Sequence, residues 1–372
     1  MSRRLSRLSQ PSGEQRQRVR DDIIRISARG LPARRLLAEV AARLRRAVPY
    51  DGAYLATLDP ASLLFTGGIV DDLPAELCHR YYINELTEPD TLKFADLIRR
   101  RRPAGSLVID TGGHPERSPR FRSIFAGLGA ADEMRVVFRT GDTSWGVADL
   151  MRTGGPFTAA EAAFTASLSS KVAQGLSTAA RAHVHDLATP PGMLVIGADG
   201  LIESATAEAA ARLPGLYAQG LPRDQLRPRQ PPEPVHAVAV RARTAPGRSS
   251  VRSLVRCGEE GWLSLHASPL DGDIDGRIAV VLSSPLPAEL TPLLMQAYGL
   301  STREREVAML IADGVTTRQI ATALALSEHT VRDYIKAIFD KVGVSSRGAL
   351  VAELFADRYQ RNILGTDYLS TG

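Results

Sequence analysis

The chain has 372 residues, 44% of them hydrophobic and 23% charged, with a formal net charge of +5. That is the balance of a globular protein with room for two or three cores, and it excludes a fibrous or disordered chain. No apolar run approaches the roughly 20 residues a membrane helix needs, and the start MSRRLSRLSQ lacks the apolar middle of a signal peptide. The expectation is a cytoplasmic protein without a membrane partner.

Within residues 1–20, Arg3, Arg4, Arg7, Arg16, Arg18 and Arg20 stand against Glu14, so the excess positive charge lies in a stretch read as a flexible basic arm. Residues 21–189 read as one α/β domain. Leu36, Leu37, Val40, Leu44 and Val48 follow helical spacing. Strand candidates 52–58 and 63–66 flank the turn formers Asp59, Pro60, Ala61 and Ser62, and 134–138 and 144–151 flank Thr140, Gly141, Asp142 and Thr143, which predicts two hairpins. Thr158 and Glu161 form a capping box that opens a long helix with Phe164, Leu168, Val172 and Leu176 inside. The run Arg99, Arg100, Arg101, Arg102 before Pro103 is read as a solvated helix end, where cations suit the dipole. Cys78 and Cys257 lack partners at metal-ligand spacing and are read as small buried residues; no cofactor or metal is expected.

The order helix, hairpin, irregular middle (70–125), hairpin, closing helix, ending FTAAEAAFTASLSSKVAQGL, resembles a GAF domain. The resemblance implies a pocket between an antiparallel sheet and the middle segment, with a small-molecule effector as one class of occupant. Tyr81, Tyr82 and Trp145, with His114, are candidates to line it; a core role is the other reading of the aromatic residues.

Pro190 and Pro191 break the long helix, and a smaller domain is predicted over 190–285. Segments 193–196 and 201–204 flank Gly197, Ala198, Asp199 and Gly200 as a hairpin, and an alanine-rich helix runs on to Leu213. The Pro-rich stretch 221–234 reads as a loop, and 251–255, 262–267 and 278–282 are strand candidates. The opening GADGLIESATAEAAARL is similar to the start of a PAS-like sensor domain. His236 and His266 are as open to a structural role as to any other. Residues 286–297 are expected as a linker in which Leu293, Leu294 and Met295 form a helical lead.

The C-terminal stretch 298–360 carries the sharpest signals. Ser301 and Glu304 form a capping box ahead of Val307, Leu310 and Ile311, and Asp313-Gly314 closes that helix. Thr316 and Gln319 repeat the cap ahead of Ile320, Ala321 and Leu324, and Ser327 caps a third helix after a turn at Ala325-Leu326. In that helix Val331, Tyr334, Ile335, Ile338, Phe339 and Val342 fall on one stripe, while His329, Arg332, Asp333 and Lys336 project from the other side. A helix, a tight turn and a second helix with a charged outer face is the layout that reads a major groove. A final helix from Gly348 to Leu354 is predicted, followed by a tail at 361–372.

The motifs Leu300-Ser301-x-Arg303-Glu304-x-Glu306-Val307, Gln319-Ile320-Ala321, Ser327-x-x-Thr330-Val331 and Lys341-Val342-Gly343-Val344 resemble the LuxR-type (GerE or FixJ-like) four-helix DNA-binding domain. The resemblance implies double-stranded DNA as partner, with Arg332, Asp333 and Lys336 at base edges and Thr316, Thr317, Arg318, Ser327, His329 and Thr330 near the backbone. It also implies a homodimer paired through Leu350, Val351 and Leu354. Asp333 departs from the uncharged residues common there; it either accepts from cytosine N4 or pairs with a neighbouring cation. The fold class expected is multidomain α+β, with GAF-like, PAS-like and all-α helix-turn-helix parts. Phosphate-loop, dinucleotide, nucleophile-elbow and zinc-protease motifs are missing, so an enzyme is not expected. The function expected is a transcription regulator; the alternative is a sensor whose helix-turn-helix contacts RNA polymerase or another protein.

Overall fold

The computed structural model describes residues 11–364 apart from 75–76, 182–189, 222–223, 225, 227, 259–260 and 272–275, with backbone alone at 78, 248, 287 and 356–364. It divides into two compact units, residues 1–179 with 189–283, and residues 180–188 with 284–372.

The first unit opens with helices α1 (Gly13–Ser27) and α2 (Ala33–Ala47). The expected arm is therefore helical from Gly13. Ser12 caps the helix by accepting from the Gln15 amide at 3.2 Å, and Val19, Ile23 and Ile26 bury one face of it. Five antiparallel strands follow: β1 (Gly52–Leu58), β2 (Phe65–Asp71), β3 (Ala104–Ser106), β4 (Asp132–Thr140) and β5 (Thr143–Arg152). Their order is β2-β1-β5-β4-β3. Both predicted hairpins form. The β2 strand starts two residues later than expected and runs on through Gly67 and Gly68, because Gly68 pairs with Ala56 where a Cβ would meet the Leu55 carbonyl oxygen at 2.3 Å.

Helices α3 (Cys78–Thr87), α4 (Phe94–Arg99) and the single turn α5 (Leu107–Asp110) cover one face of the sheet through Tyr82, Phe94 and Leu107. The closing helix α6 (Ala159–Arg181) starts at the predicted capping box, with the Glu161 amide donating to Thr158 Oγ1 and the Thr158 amide donating to Glu161 Oε2. Its residues Phe164, Leu168, Val172 and Leu176 are buried.

A second antiparallel sheet, order β7-β6-β10-β9-β8, is built from β6 (Gly192–Ile196), β7 (Ile202–Ala205), β8 (Val251–Arg256), β9 (Trp262–Pro269) and β10 (Ile278–Ser283). Helix α7 (Ala207–Leu216) follows β7, and helix α8 (Glu233–Thr244) begins inside the stretch expected as a loop. Pro232 is its N-cap and Pro234 sits in its first turn, where no amide is needed. Helix α8 is buried on nearly every side, from Val235 to Val240, packing on the second sheet as well as on α3 and β2. Backbone bonds between Val70 and Gln219 (2.8 Å) and between Gln219 and Gly68 (2.9 Å) close the outer edge of β2. The two sheets expected on either side of residue 190 thus share one buried helix. Cys257 is buried, as expected; the Cys78 side chain lies outside the described residues.

The second unit is all-helical: α9 (Pro287–Ala297), α10 (Thr302–Ala312), α11 (Thr317–Ala323), α12 (Glu328–Val342) and α13 (Arg347–Leu364). The stretch expected as a linker is thus mostly helix. Leu290, Leu293, Leu294 and Ala297 repeat at helical spacing and are buried, and Thr291 Oγ1 donates to the Leu354 carbonyl at 3.3 Å. All three predicted caps are present: Ser301 accepts from the Glu304 amide, Thr316 from Gln319 and Ser327 from Thr330. Beyond its cap, the Glu304 carboxylate takes Lys341 Nζ at 2.7 Å, tying α10 to the end of α12. Burial pushes the Glu304 carboxyl up, but Lys341 and the Ser301 amide outweigh it and hold it below the usual range. The tail beyond residue 364 lies outside the described residues.

Gly68→Ala forces a methyl onto a backbone oxygen that has nowhere to go, so urea denaturation monitored by tryptophan fluorescence is expected to show a loss of about 2 kcal/mol. Glu304→Gln removes an ion pair whose contribution is present above the ordinary carboxylate pKa and lost as pH falls through the lower folded value. Amide exchange in α10 and α12 should therefore show a deficit of about 1 kcal/mol at pH 7 that closes as pH falls below about 4.

Candidate nucleic-acid interface

Helix α12 is fixed by its apolar side. Val331, Ile338 and Val342 are buried, while Tyr334, Ile335 and Phe339 are half-buried. Gly343, at φ 80°, stops the helix and lets its amide reach the Phe339 carbonyl at 2.8 Å. The turn between α11 and α12 also needs a left-handed residue, and Ala325 supplies it at φ 52°. Arg303 braces that turn by donating to the Leu324 carbonyl at 2.6 Å.

The opposite side of α12 is exposed and carries His329, Arg332, Asp333 and Lys336. Two of them stand near an acid one turn away. Arg332 Nη2 lies 3.0 Å from Glu328 Oε2, and His329 Nε2 lies 3.8 Å from Asp333 Oδ2. Lys336 has no ionic partner among the described residues. Arg332 and Lys336 line an open concavity together with Ile335, Phe339, Val344, Thr317, Arg347 and the acid Asp340.

The residues expected near a backbone divide by what their hydroxyls already do. Thr316 donates to Gln319 Oε1 at 2.7 Å and accepts from the Gln319 amide, so the cap occupies it. Thr317 Oγ1 accepts from Arg347 Nη2 at 2.8 Å, which leaves its hydrogen available. Ser327 and Thr330 share a 2.8 Å hydroxyl contact, and the Arg318 side chain is exposed. Sequence reasoning missed Arg347, whose guanidinium also reaches the Val315 carbonyl at 2.8 Å, and Glu328, which holds Arg332; the i,i+4 spacing of Glu328 and Arg332 was a readable signal.

One group of expected residues is corrected. Leu350 and Leu354, read as part of a two-fold interface, are buried in the unit's own core, because α13 turns that side toward α9 and α10. On the same helix Val351 is half-buried, while Ala352 and Glu353 are exposed.

In the first unit, Tyr81 and Tyr82 line a cavity of about 40 Å³ together with Tyr54, Ile124, Phe125 and Asp149. Trp145 is buried elsewhere on β5 and His114 is exposed, so neither lines it. Beneath the cavity runs a buried ionic cluster that the sequence did not announce. Arg135 donates to Glu85 at 2.5 Å, Glu133 at 2.8 Å and Asp149 at 3.1 Å, and Arg120 grips Glu133 with two bonds of 2.8 Å. Burial and the Glu133 charge push the Asp149 carboxyl well above the usual range, whereas Arg120 and Arg135 overcome burial to hold Glu133 below it.

Residues 299–354 match the family described as bacterial regulatory proteins, luxR family. The chain is 34% identical over 96 residues to the transcriptional regulatory protein DesR of Bacillus subtilis (strain 168), covering 25% of this chain and 47% of that one. It spans about half the length of DesR and 21% of that of the probable HTH-type transcriptional regulator GfsR of Streptomyces halstedii. Among solved structures, the GAF domain of a phosphoenolpyruvate-protein phosphotransferase from Coxiella burnetii covers 45% of this chain and 96% of its own at 17% identity and a TM-score of 0.33. That likeness is loose. No described helix is long and apolar enough to cross a membrane. The spore germination protein GerE of Bacillus subtilis (strain 168) is 46% identical over 55 residues, covering 15% of this chain and 74% of GerE. By that match the chain belongs to the LuxR family of bacterial regulatory proteins.

Proposed function

We propose that this chain is a sequence-specific DNA-binding transcription regulator whose helix α12 enters the major groove. The carrying observation is the side-by-side exposure of Arg332 and Lys336 on a helix whose other side is buried. Both can donate to guanine O6 and N7, and each good contact is worth about 1 to 3 kcal/mol of discrimination. Arg347 and the free hydroxyl hydrogen of Thr317 line the same concavity as Arg332 and Lys336, and Arg318 is exposed on α11; these are the groups offered to a phosphate strand. Asp333 pairs with His329, which favours the intrahelical reading of that residue over cytosine contact. The chain acts in the cytoplasm as a homodimer on a pseudo-palindrome, its two-fold contact formed by exposed positions of α13 such as Ala352 and by half-buried Val351.

The two sheets of the first unit serve as GAF-like and PAS-like sensor modules, divided near residue 190, and control the C-terminal domain from 298 onward through a small-molecule effector. A second reading draws on charge. Acids offset the cations along α12, so attraction to bulk phosphate is weak, as suits a helix-turn-helix that contacts RNA polymerase.

Retention of promoter fragments separates the two readings. Arg332→Ala and Lys336→Ala are each expected to cost about 1 to 3 kcal/mol on the selected sequence, and Arg318→Ala to weaken all sequences alike and lower the salt slope by about 1. Unaltered retention in all three would favour the protein partner. Glu328→Gln releases Arg332 from its acid, so binding to random DNA should tighten while the ratio of specific to random affinity falls.

A further inference from the structure

The cavity beside Tyr81 is walled by Val70, Leu73, Pro74, Leu77, Ile124 and Phe125 and by the rings of Tyr54, Tyr81 and Tyr82, which meet edge to face with centroids 5.8 to 6.3 Å apart. The polar atoms at its edge already serve one another. Tyr82 donates to the Tyr54 hydroxyl at 2.8 Å, while the Tyr81 hydroxyl donates to Asp149 Oδ2 at 2.7 Å and accepts from Arg135 Nη2 at 3.0 Å. Burial first, and then the Glu133 charge, favour the neutral acid at Asp149, which is hydrogen-bonded to Glu133. The ions beneath it balance: Arg120, Arg135 and Lys93 stand against Glu85, Asp90 and Glu133, three charges of each sign. Irregular backbone shapes two of the walls. Asp72 turns through φ 55° just before Leu73 and Pro74, and Ile124 and Phe125 lie on the π-helical turn Phe121–Phe125, a distortion frequent at functional sites.

We propose that this cavity is the recognition site for a small uncharged apolar molecule, held by contact with Ile124, Phe125 and the three tyrosine rings. The assignment deepens the sensor reading above and rests on it. An ion of either sign enters without a counter-charge, because the buried charges are matched to one another, and it forfeits its hydration. Water gains little there, since it needs two to four polar partners; a hydrocarbon instead supplies the dispersion contacts that an empty apolar space lacks. With about 40 Å³ free, where one water takes roughly 10 to 15 Å³, the site accepts a group of a few carbons. Anything larger must push aside the half-buried rim side chains Leu73 and Leu77.

Isothermal titration of the full chain with cyclopentane, cyclopentylamine and cyclopentanecarboxylate tests this. At pH 7 the hydrocarbon should bind about a hundredfold more tightly than either ion, with a heat that does not vary with buffer because no proton is exchanged. The affinity of the amine should rise about tenfold for each pH unit between about 7 and 9, as its neutral form becomes available. Leu77→Trp sets a ring in the mouth of the cavity and should abolish binding of cyclopentane; undiminished binding by that variant would overturn the cavity as the site. Binding of either ion at pH 7 as tight as that of cyclopentane by the wild-type chain would overturn the apolar assignment alone, whatever the folding of the variant. Binding by none of the three would overturn the cavity as a ligand site and the effector reading with it, while promoter retention would stand as a separate result.

Discussion

Everything proposed for the C-terminal unit depends on the burial of one side of α12. Sealing Val331, Ile338 and Val342 away from water contributes on the order of 1.5 to 3 kcal/mol for each side chain, whereas an exposed ion pair such as Glu328 with Arg332 contributes at most about 1. Packing therefore decides which residues face outward, and the charges follow. Gly343 and Ala325 hold the ends of the arrangement in left-handed backbone, so the helix is fixed in length as well as in rotation. Lys341 ties α12 to Glu304 of α10, Arg303 ties α10 to the Leu324 carbonyl before the turn, and Arg347 ties α13 to the Val315 carbonyl between α10 and α11. What remains free to meet a partner is a narrow set of polar atoms.

The first unit is built on the opposite principle. Its Arg120 and Arg135 are fully buried, and a buried ion pair must recover the cost of dehydration through near-complete hydrogen bonding. That condition is met for Arg120 by Glu133, Asn84 and the Thr91 carbonyl, and for Arg135 by Glu85, Glu133, Asp149 and Tyr81.

Caps and stripes were legible because they depend on neighbours a turn away. Ser301, Thr316, Ser327 and the Thr158 box all bond as their spacing predicts, and the hairpins at 59–62 and 140–143 turn where expected. Helix α8 was hidden because it is buried almost all round: AVAV within it shows no polar face, and periodicity has nothing to report. The α1 and α9 helices did carry readable stripes, at Val19, Ile23 and Ile26 and at Leu290, Leu293, Leu294 and Ala297, but clustered arginines and flanking prolines drew the reading toward arm and linker. Leu350 and Leu354 show a different limit. An apolar stripe says that a surface is covered, not by what, and here the cover is the unit's own core. The ionic cluster joins residues up to 68 positions apart, a distance at which a single sequence gives no signal.

Methylation interference on a bound genomic fragment tests the central claim most directly, because dimethyl sulfate blocks guanine N7 in the major groove and adenine N3 in the minor groove. If α12 delivers Arg332 and Lys336 to base edges, methylated guanine N7 at a few fixed positions will abolish binding, and Arg332→Ala will become indifferent to methylation at one of them. Interference confined to adenine N3, or none at any base, would contradict the account.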